Sequence, residues 1–268
     1  MSTIAPRSAL RTTLLVGGSI LVIALLAYLV VAVASAANRT DASREVTVDT
    51  GFDTVSITAE VADVTLAFGD VDETVVAFEQ HGANRDMSFE AESTSGTLTV
   101  AVAEHGTVPW FFGDVSESPL LIVTLPVALA GEGLTVELET DAGDVVLDGD
   151  FGEVDVVTTV GDLRIDGSAE RLGVETTVGD VTIGAITVTG DASIATSAGE
   201  VDATLAAVPS RLDIITNVGN VDLTLPAGEY RIDTSTNTGD VTIDAPNTPD
   251  SDTIVNVETT VGDITIEV

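Results

Sequence analysis

Between residues 140 and 264 the chain repeats one phrase seven times: threonine, two residues, glycine, an acid or asparagine, then an aliphatic. The copies begin at Thr140, Thr158, Thr176, Thr196, Thr216, Thr236 and Thr259, and their glycines lie 18, 18, 20, 20, 20 and 23 residues apart. A period of this length marks stacked structural repeats, each too small to bury its own apolar face, and rules out one irregular globule.

Within a repeat the apolar residues alternate. Aliphatics stand seven and five residues before the glycine, as at Val136 and Leu138 or Leu212 and Ile214, and two and four after it, as at Val145 and Leu147. The residues between them are polar, such as Glu137 and Glu139 or Arg164 and Asp166. Period-two alternation predicts two short strands per repeat with one buried face. The repeated threonine shares the parity of the aliphatics, so it points inward, where a stack of hydroxyls can donate to the next repeat or to a carbonyl. Gly-Asp then turns the chain, glycine supplying a positive φ and aspartate bonding turn amides. Val157 and Ile215 fall on the outward face, and Thr234 takes an aliphatic place. The longest interval carries Pro246–Asp252, read as a surface loop.

The expected fold is all-β: a right-handed parallel β-solenoid of seven regular rungs of 18–23 residues, about 30 Å long at ~4.8 Å per rung. Residues 46–130 echo the pattern more weakly, with Ala62 in a glycine place and Ser93-Thr-Ser-Gly96-Thr-Leu98 as another copy. Six of the seven Phe and the only Trp lie between Phe52 and Phe112, so this half is read as an irregular start and cap. Residues 131–268 form the regular array.

Residues 14–37 hold 24 uncharged, mostly apolar positions, enough for one transmembrane helix. Arg7 and Arg11 precede it, which places residues 1–13 in the cytoplasm and, beyond a linker at 38–45, the remainder outside. Ala34-Ser35-Ala36 would suit cleavage of a signal, but the apolar run is longer than a signal's, which favours a retained signal anchor in the plasma membrane. From residue 38 on there are 7 Arg against 44 acids, a net charge of −37, which excludes nucleic acid as a partner. The chain has no cysteine, and hence no disulfide or thiolate metal site, and its nine basic residues are all Arg.

These rungs, led in by a strand ending Leu125-Pro126 and by Leu134-Thr-Val-Glu-Leu-Glu-Thr140, resemble the putative adhesin family of bacterial and archaeal envelope domains over residues 46–268. The resemblance implies a parallel β-helix, often behind one transmembrane segment, and brings no catalytic residues with it.

Candidate sites are few. The residue after each glycine forms a file: Asp144, Asp162, Asp180, Glu200, Asn220, Asp240 and Asp263. Carboxylates ~4.8 Å apart repel by on the order of 1 kcal/mol per pair. Either Ca²⁺ between rungs relieves this or each Asp caps its own turn. Trp110, Phe111 and Phe112, between Pro109 and Gly113, are either a partner-binding loop or a plug for the first rungs. His81 beside Glu79 and His105 beside Glu104 lack metal-ligand spacing. Arg164 and Arg171 beside Asp162 and Asp166 are the nearest approach to a polysaccharide-acting site. The strand 261–268 fits the pattern with no polar tail, so an open last rung is expected, blocked by Glu267 and the terminal carboxylate or joined by another chain. The functional expectation is a non-enzymatic envelope scaffold, adhesin-like or binding module with a protein or wall-polymer partner. An accessory or sensory subunit of an envelope-stress system and a polysaccharide enzyme are the alternatives.

Overall fold

The computed structural model describes residues 42–80, 86–105 and 118–268. The anticipated membrane span at 14–37, His81 and the cluster Trp110, Phe111 and Phe112 lie outside the described residues. Among those described, no helix is long and apolar enough to cross a membrane.

The alternating segments form strands. The first are β1 (Ala42–Val48), β2 (Thr54–Val61), β3 (Asp63–Gly69) and β4 (Thr74–Gln80), followed by β5 (Asp86–Thr94), β6 (Thr97–His105) and β7 (Leu120–Pro126). A short 3₁₀ turn, Val127–Leu129, leads into the regular repeats, each giving one strand before its glycine and one after it. These are β8 (Thr135–Ala142) and β9 (Val145–Asp150), β10 (Glu153–Val160) and β11 (Leu163–Ala169), β12 (Arg171–Val178) and β13 (Val181–Val188), and β14 (Asp191–Ala198) and β15 (Val201–Ala207). The array ends with β16 (Arg211–Val218) and β17 (Val221–Thr224), β18 (Arg231–Thr238) and β19 (Val241–Ile243), and β20 (Ile254–Val261) and β21 (Ile264–Glu267).

Each coil places one strand in each of two facing sheets. One sheet has 11 strands in the order β1-β4-β7-β3-β9-β11-β13-β15-β17-β21-β19. The other has 10, in the order β18-β20-β16-β14-β12-β10-β8-β2-β6-β5. Pairing is parallel throughout the regular coils and keeps equivalent residues in register, as in Val156 between Leu138 and Val174. The core therefore consists of like-on-like files between the sheets: Leu138, Val156, Val174, Ile194, Ile214 and Val257 from one, and Leu147, Ile165, Ile183, Ala203, Leu223 and Ile266 from the other. All are at most 4% exposed, and each large aliphatic so buried contributes about 1.5–3 kcal/mol.

Chain order and spatial order part company at both ends. The coil β2–β3 sits between β6–β7 and β8–β9, and the last coil, β20–β21, sits between β16–β17 and β18–β19. The expected open last rung is thus corrected: β21 pairs with β17 on one side and β19 on the other. The exposed end of the stack is β18–β19, where only Ile232 is buried along β18 and Thr234 occupies the core file. The residues after β19 form the return path. Asn247 closes part of the open edge, its Oδ1 accepting from Ile232 N at 3.2 Å and its Nδ2 donating to Ile232 O at 2.9 Å.

The opposite end is closed by antiparallel strands. β1 and β4 extend one sheet and β5 the other. Phe78 and Phe89 stack across the gap between them at 5.5 Å.

Candidate binding surface

The turn after each threonine sets the surface chemistry. Each repeat glycine lies against the turn of the neighbouring coil: a Cβ on Gly161 would stand 2.0 Å from Gly143 O, and one on Gly179 would stand 1.9 Å from Gly161 O. With φ near +150° at both, no other residue fits. Ala62 is tolerated at the start of the file, where its neighbouring coil reaches Asp63 N through Pro119 O instead of through a glycine turn.

This tight turn leaves one amide without a backbone acceptor, and the acidic file supplies it. Asp162 N donates to Asp144 Oδ1 at 2.9 Å, Asp180 N to Asp162 Oδ1 at 2.9 Å and Glu200 N to Asp180 Oδ1 at 2.8 Å. The relay begins one coil earlier, with Asp144 N on Asp63 Oδ1, and ends with Asp240 N on Asp263 Oδ1. Asn220 does the same through its amide oxygen, accepting from Asp263 N at 2.9 Å. Among the described residues the series breaks once: Glu200, one methylene longer, makes no such bond to Asn220 N. Glu200 apart, the side chains of the relay thus cap the turn of the neighbouring rung and not their own, and the charge-assisted bonds of the aspartates offset the repulsion along the file. Among the described residues no cluster of three His, Cys, Asp or Glu could hold a metal ion.

The inward threonines are buried as expected, except Thr236 in the end coil, which is partly exposed, and their hydroxyls divide into two groups. Thr259 and Thr236 donate to Gly219 O and Gly262 O at 3.1 Å. The hydroxyls of Thr140, Thr158, Thr176, Thr196 and Thr216 have no partner among the described residues, so the expected ladder forms only at the end of the stack.

Arg164 and Arg171 do not converge. Arg164 pairs with Asp166 at 2.8 Å on the 11-stranded sheet, whereas Arg171 pairs with Glu153 at 3.2 Å on the other. The grouping of Arg164 and Arg171 with Asp162 and Asp166 is therefore corrected, because consecutive strands of a coil face opposite ways. Arg211 binds Asp213 through Nε and Nη2, and Asn256 Nδ2 donates to the same carboxylate at 2.7 Å. The bond from Arg211, aided by Asn256, holds the Asp213 carboxyl below the usual carboxylate range, against the opposing effect of its partial burial. Beside these pairs Gly173 leaves a notch between Asp155 and Ser193. His105 is exposed at the end of β6, opposite Asp86.

One feature of the turn escaped the sequence reading. The residue before each repeat glycine, and Val61 before Ala62, form a file in register: Val61, Ala142, Val160, Val178, Ala198, Val218, Val261 and Thr238. Seven of these eight are apolar, yet Val160, Val178, Val218 and Val261 are 50%, 48%, 54% and 44% exposed. The alternation fails at this corner and turns them outward, so period-two counting passes over them. The recurrence of an aliphatic before six of the seven repeat glycines was the available signal. Their backbone is fully engaged within the stack, with Val160 O, Val178 O, Val218 O and Val261 O each accepting a glycine N–H at 3.0 Å. An apolar ridge thus runs along one corner. The acidic relay flanks it on one side and Glu139, Glu175 and Glu258 project on the other.

Three solved structures align with most of the chain at low identity. One, described as a putative adhesin from Parabacteroides distasonis, is 11% identical with a TM-score of 0.48, covering 86% of this chain and 98% of its own. A putative lipid binding protein from the same organism is 11% identical with a TM-score of 0.45, covering 86% and 98%. A putative cell adhesion protein from Clostridium sporogenes is 13% identical with a TM-score of 0.42, covering 86% and 99%. No curated protein matches the chain. The family model for Toastrack DUF4097 matches residues 52–268, nearly all of the described coils, and the chain therefore belongs to the Toastrack DUF4097 family.

Proposed function

We propose that this chain is a non-enzymatic envelope protein: a right-handed β-solenoid held outside the plasma membrane by residues 14–37 and used as an adhesin-like scaffold or binding module. The observation that carries it is the in-register repetition of one corner over eight coils. Such a surface offers the same groups every ~4.8 Å, which suits an extended or repetitive partner better than a small substrate. The carboxylates of the relay are engaged in holding the turns, and the arginines of the coils are engaged in pairs along or between neighbouring strands. Polar chemistry on this surface is distributed along the rod.

The test is protease shaving of intact cells followed by capture of partners from the native envelope. Shaving should release the coils while residues 14–37 stay with the membrane, and capture should recover a recurrent envelope protein or wall polymer. Coils protected in the cytoplasm would overturn the proposal.

A further inference from the structure

We infer that the valine ridge is a docking site for a basic amphipathic α-helix of a partner protein, an inference that rests on the binding-module reading and names the partner's chemistry. The ridge residues Val160, Val178, Val218 and Val261 are about half exposed, and apolar side chains held out in line at one corner of a soluble surface are a recognised mark of an interface. The occupant is not a strand. Every backbone group that strand addition would need at the ridge is already bonded to the neighbouring coil, with Gly161 N on Val178 O and Gly219 N on Val261 O, both at 3.0 Å. Only side chains are on offer, so the partner must present apolar side chains of its own in a line, as one face of an amphipathic helix does at i, i+3, i+4 and i+7.

The repeat fits a helix laid along the stack. Rungs recur at ~4.8 Å and helical turns at about 5.4 Å, so residues at i, i+3, i+4 and i+7 follow the ridge with a drift of about 0.6 Å per rung. From Val160 to Val261 the ridge crosses four rung spacings, about 19 Å, which some 13 helical residues would cover. Charge selects the rest of the partner. Asp162, Asp180 and Asp263 line one flank and Glu175 the other, so lysine or arginine beside the apolar stripe is attracted, whereas an acidic helix or an anionic membrane is repelled.

The test uses the full chain in zwitterionic nanodiscs, with empty discs subtracted. The probe is an amidated 18-residue peptide of leucine and lysine with the leucines on one helical stripe. A control peptide has the same composition with the stripe scrambled. The striped peptide should bind at least tenfold more tightly than the scrambled one. Val160→Thr, Val178→Thr, Val218→Thr and Val261→Thr combined, which keeps β-branching and shape, should reduce that ratio below threefold with the circular dichroism spectrum unchanged. Asp162→Asn with Asp180→Asn, which keeps both turn acceptors, should weaken both peptides and flatten the salt dependence while preserving the ratio. Equal binding of the two peptides, or a ratio that survives the valine changes, overturns the docking site. Absence of peptide binding alongside successful envelope capture removes this inference alone. Peptide binding by a chain found in the cytoplasm removes the envelope function and leaves the ridge standing.

Discussion

Replacing Asp162 separates the two roles its carboxylate plays. Its Oδ1 accepts Asp180 N at 2.9 Å, while its charge faces those of Asp144 and Asp180 one coil away on either side. A hydrogen bond to a charged group contributes about 1.5–3 kcal/mol and a neutral one about 1 kcal/mol. Repulsion at ~4.8 Å in water's dielectric is about 0.9 kcal/mol per neighbour, and screening at 0.1 M salt brings the two together to about 1 kcal/mol. Asp162→Ala loses the bond and relieves the repulsion, a net loss of about 1 kcal/mol. Asp162→Asn keeps a neutral bond, as Asn220 does naturally, and comes out near zero. Urea unfolding of the full chain in detergent, followed by far-ultraviolet circular dichroism, should place Asn close to the parent and Ala about 1 kcal/mol below. Lowering the salt to 0.02 M should raise the Asn variant relative to the parent, and millimolar calcium should leave the parent's melting temperature unchanged. Equal destabilisation by Asn and Ala would refute the acceptor role. Calcium stabilisation that disappears in both variants would show the file to be a cation site.

Four further outcomes are expected. Thr158→Val and Thr176→Val should each be neutral or stabilise by up to about 1 kcal/mol, because each removes a buried hydroxyl without a partner. Thr259→Val should cost about 1 kcal/mol through its bond to Gly219 O, and paired urea midpoints distinguish the cases. Gly179→Ala should cost more than about 3 kcal/mol, combining strain at φ +150° with a Cβ 1.9 Å from Gly161 O, whereas Gly51→Ala, which meets nothing within 4 Å, should change little in the same assay. Asn247→Ala strips both partners from Ile232 at the open edge; a loss of about 1–2 kcal/mol and concentration-dependent association on a sizing column are expected. Asp213, whose folded pKa is depressed, contributes stability that is present above its unfolded pKa of about 3.9 and lost as pH falls through the lower folded value. Asp213→Asn should therefore be less stable than the parent at pH 6, and acid titration of the melting temperature should close the gap as the pH falls through the lowered folded value.

Much of the fold was legible because register makes every coil repeat the same demand. The aliphatics five and seven residues before Gly161 and Gly179, and two and four after them, had to face inward for any stacking to work, and they do. Coil order was not legible, since the phrases at Thr236 and Thr259 are equivalent and either could lie outermost. The physical clue was Thr234: an end coil has solvent on one side and tolerates a polar residue in the core file. The pairing of acids with the next coil's amides was hidden because the orphaned amide appears only once glycines stack closely enough to displace backbone acceptors. Arg164 and Arg171 looked adjacent because sequence distance ignores which sheet a strand joins.

The placement of β20–β21 within the stack changes how the rod responds to load. A solenoid whose last coil lies outermost can be peeled from its end, one ladder at a time. Here tension applied at Glu267 meets β21 bonded on both flanks, four residue pairs to β17 and three to β19, and behind it β20 with seven pairs on each side. The strands must be drawn out lengthwise, so many hydrogen bonds bear the force together and rupture in shear. A rod of this topology, tethered at one end and pulled at the other, would resist unravelling through strand placement alone, in a chain that has no cysteine to fasten it.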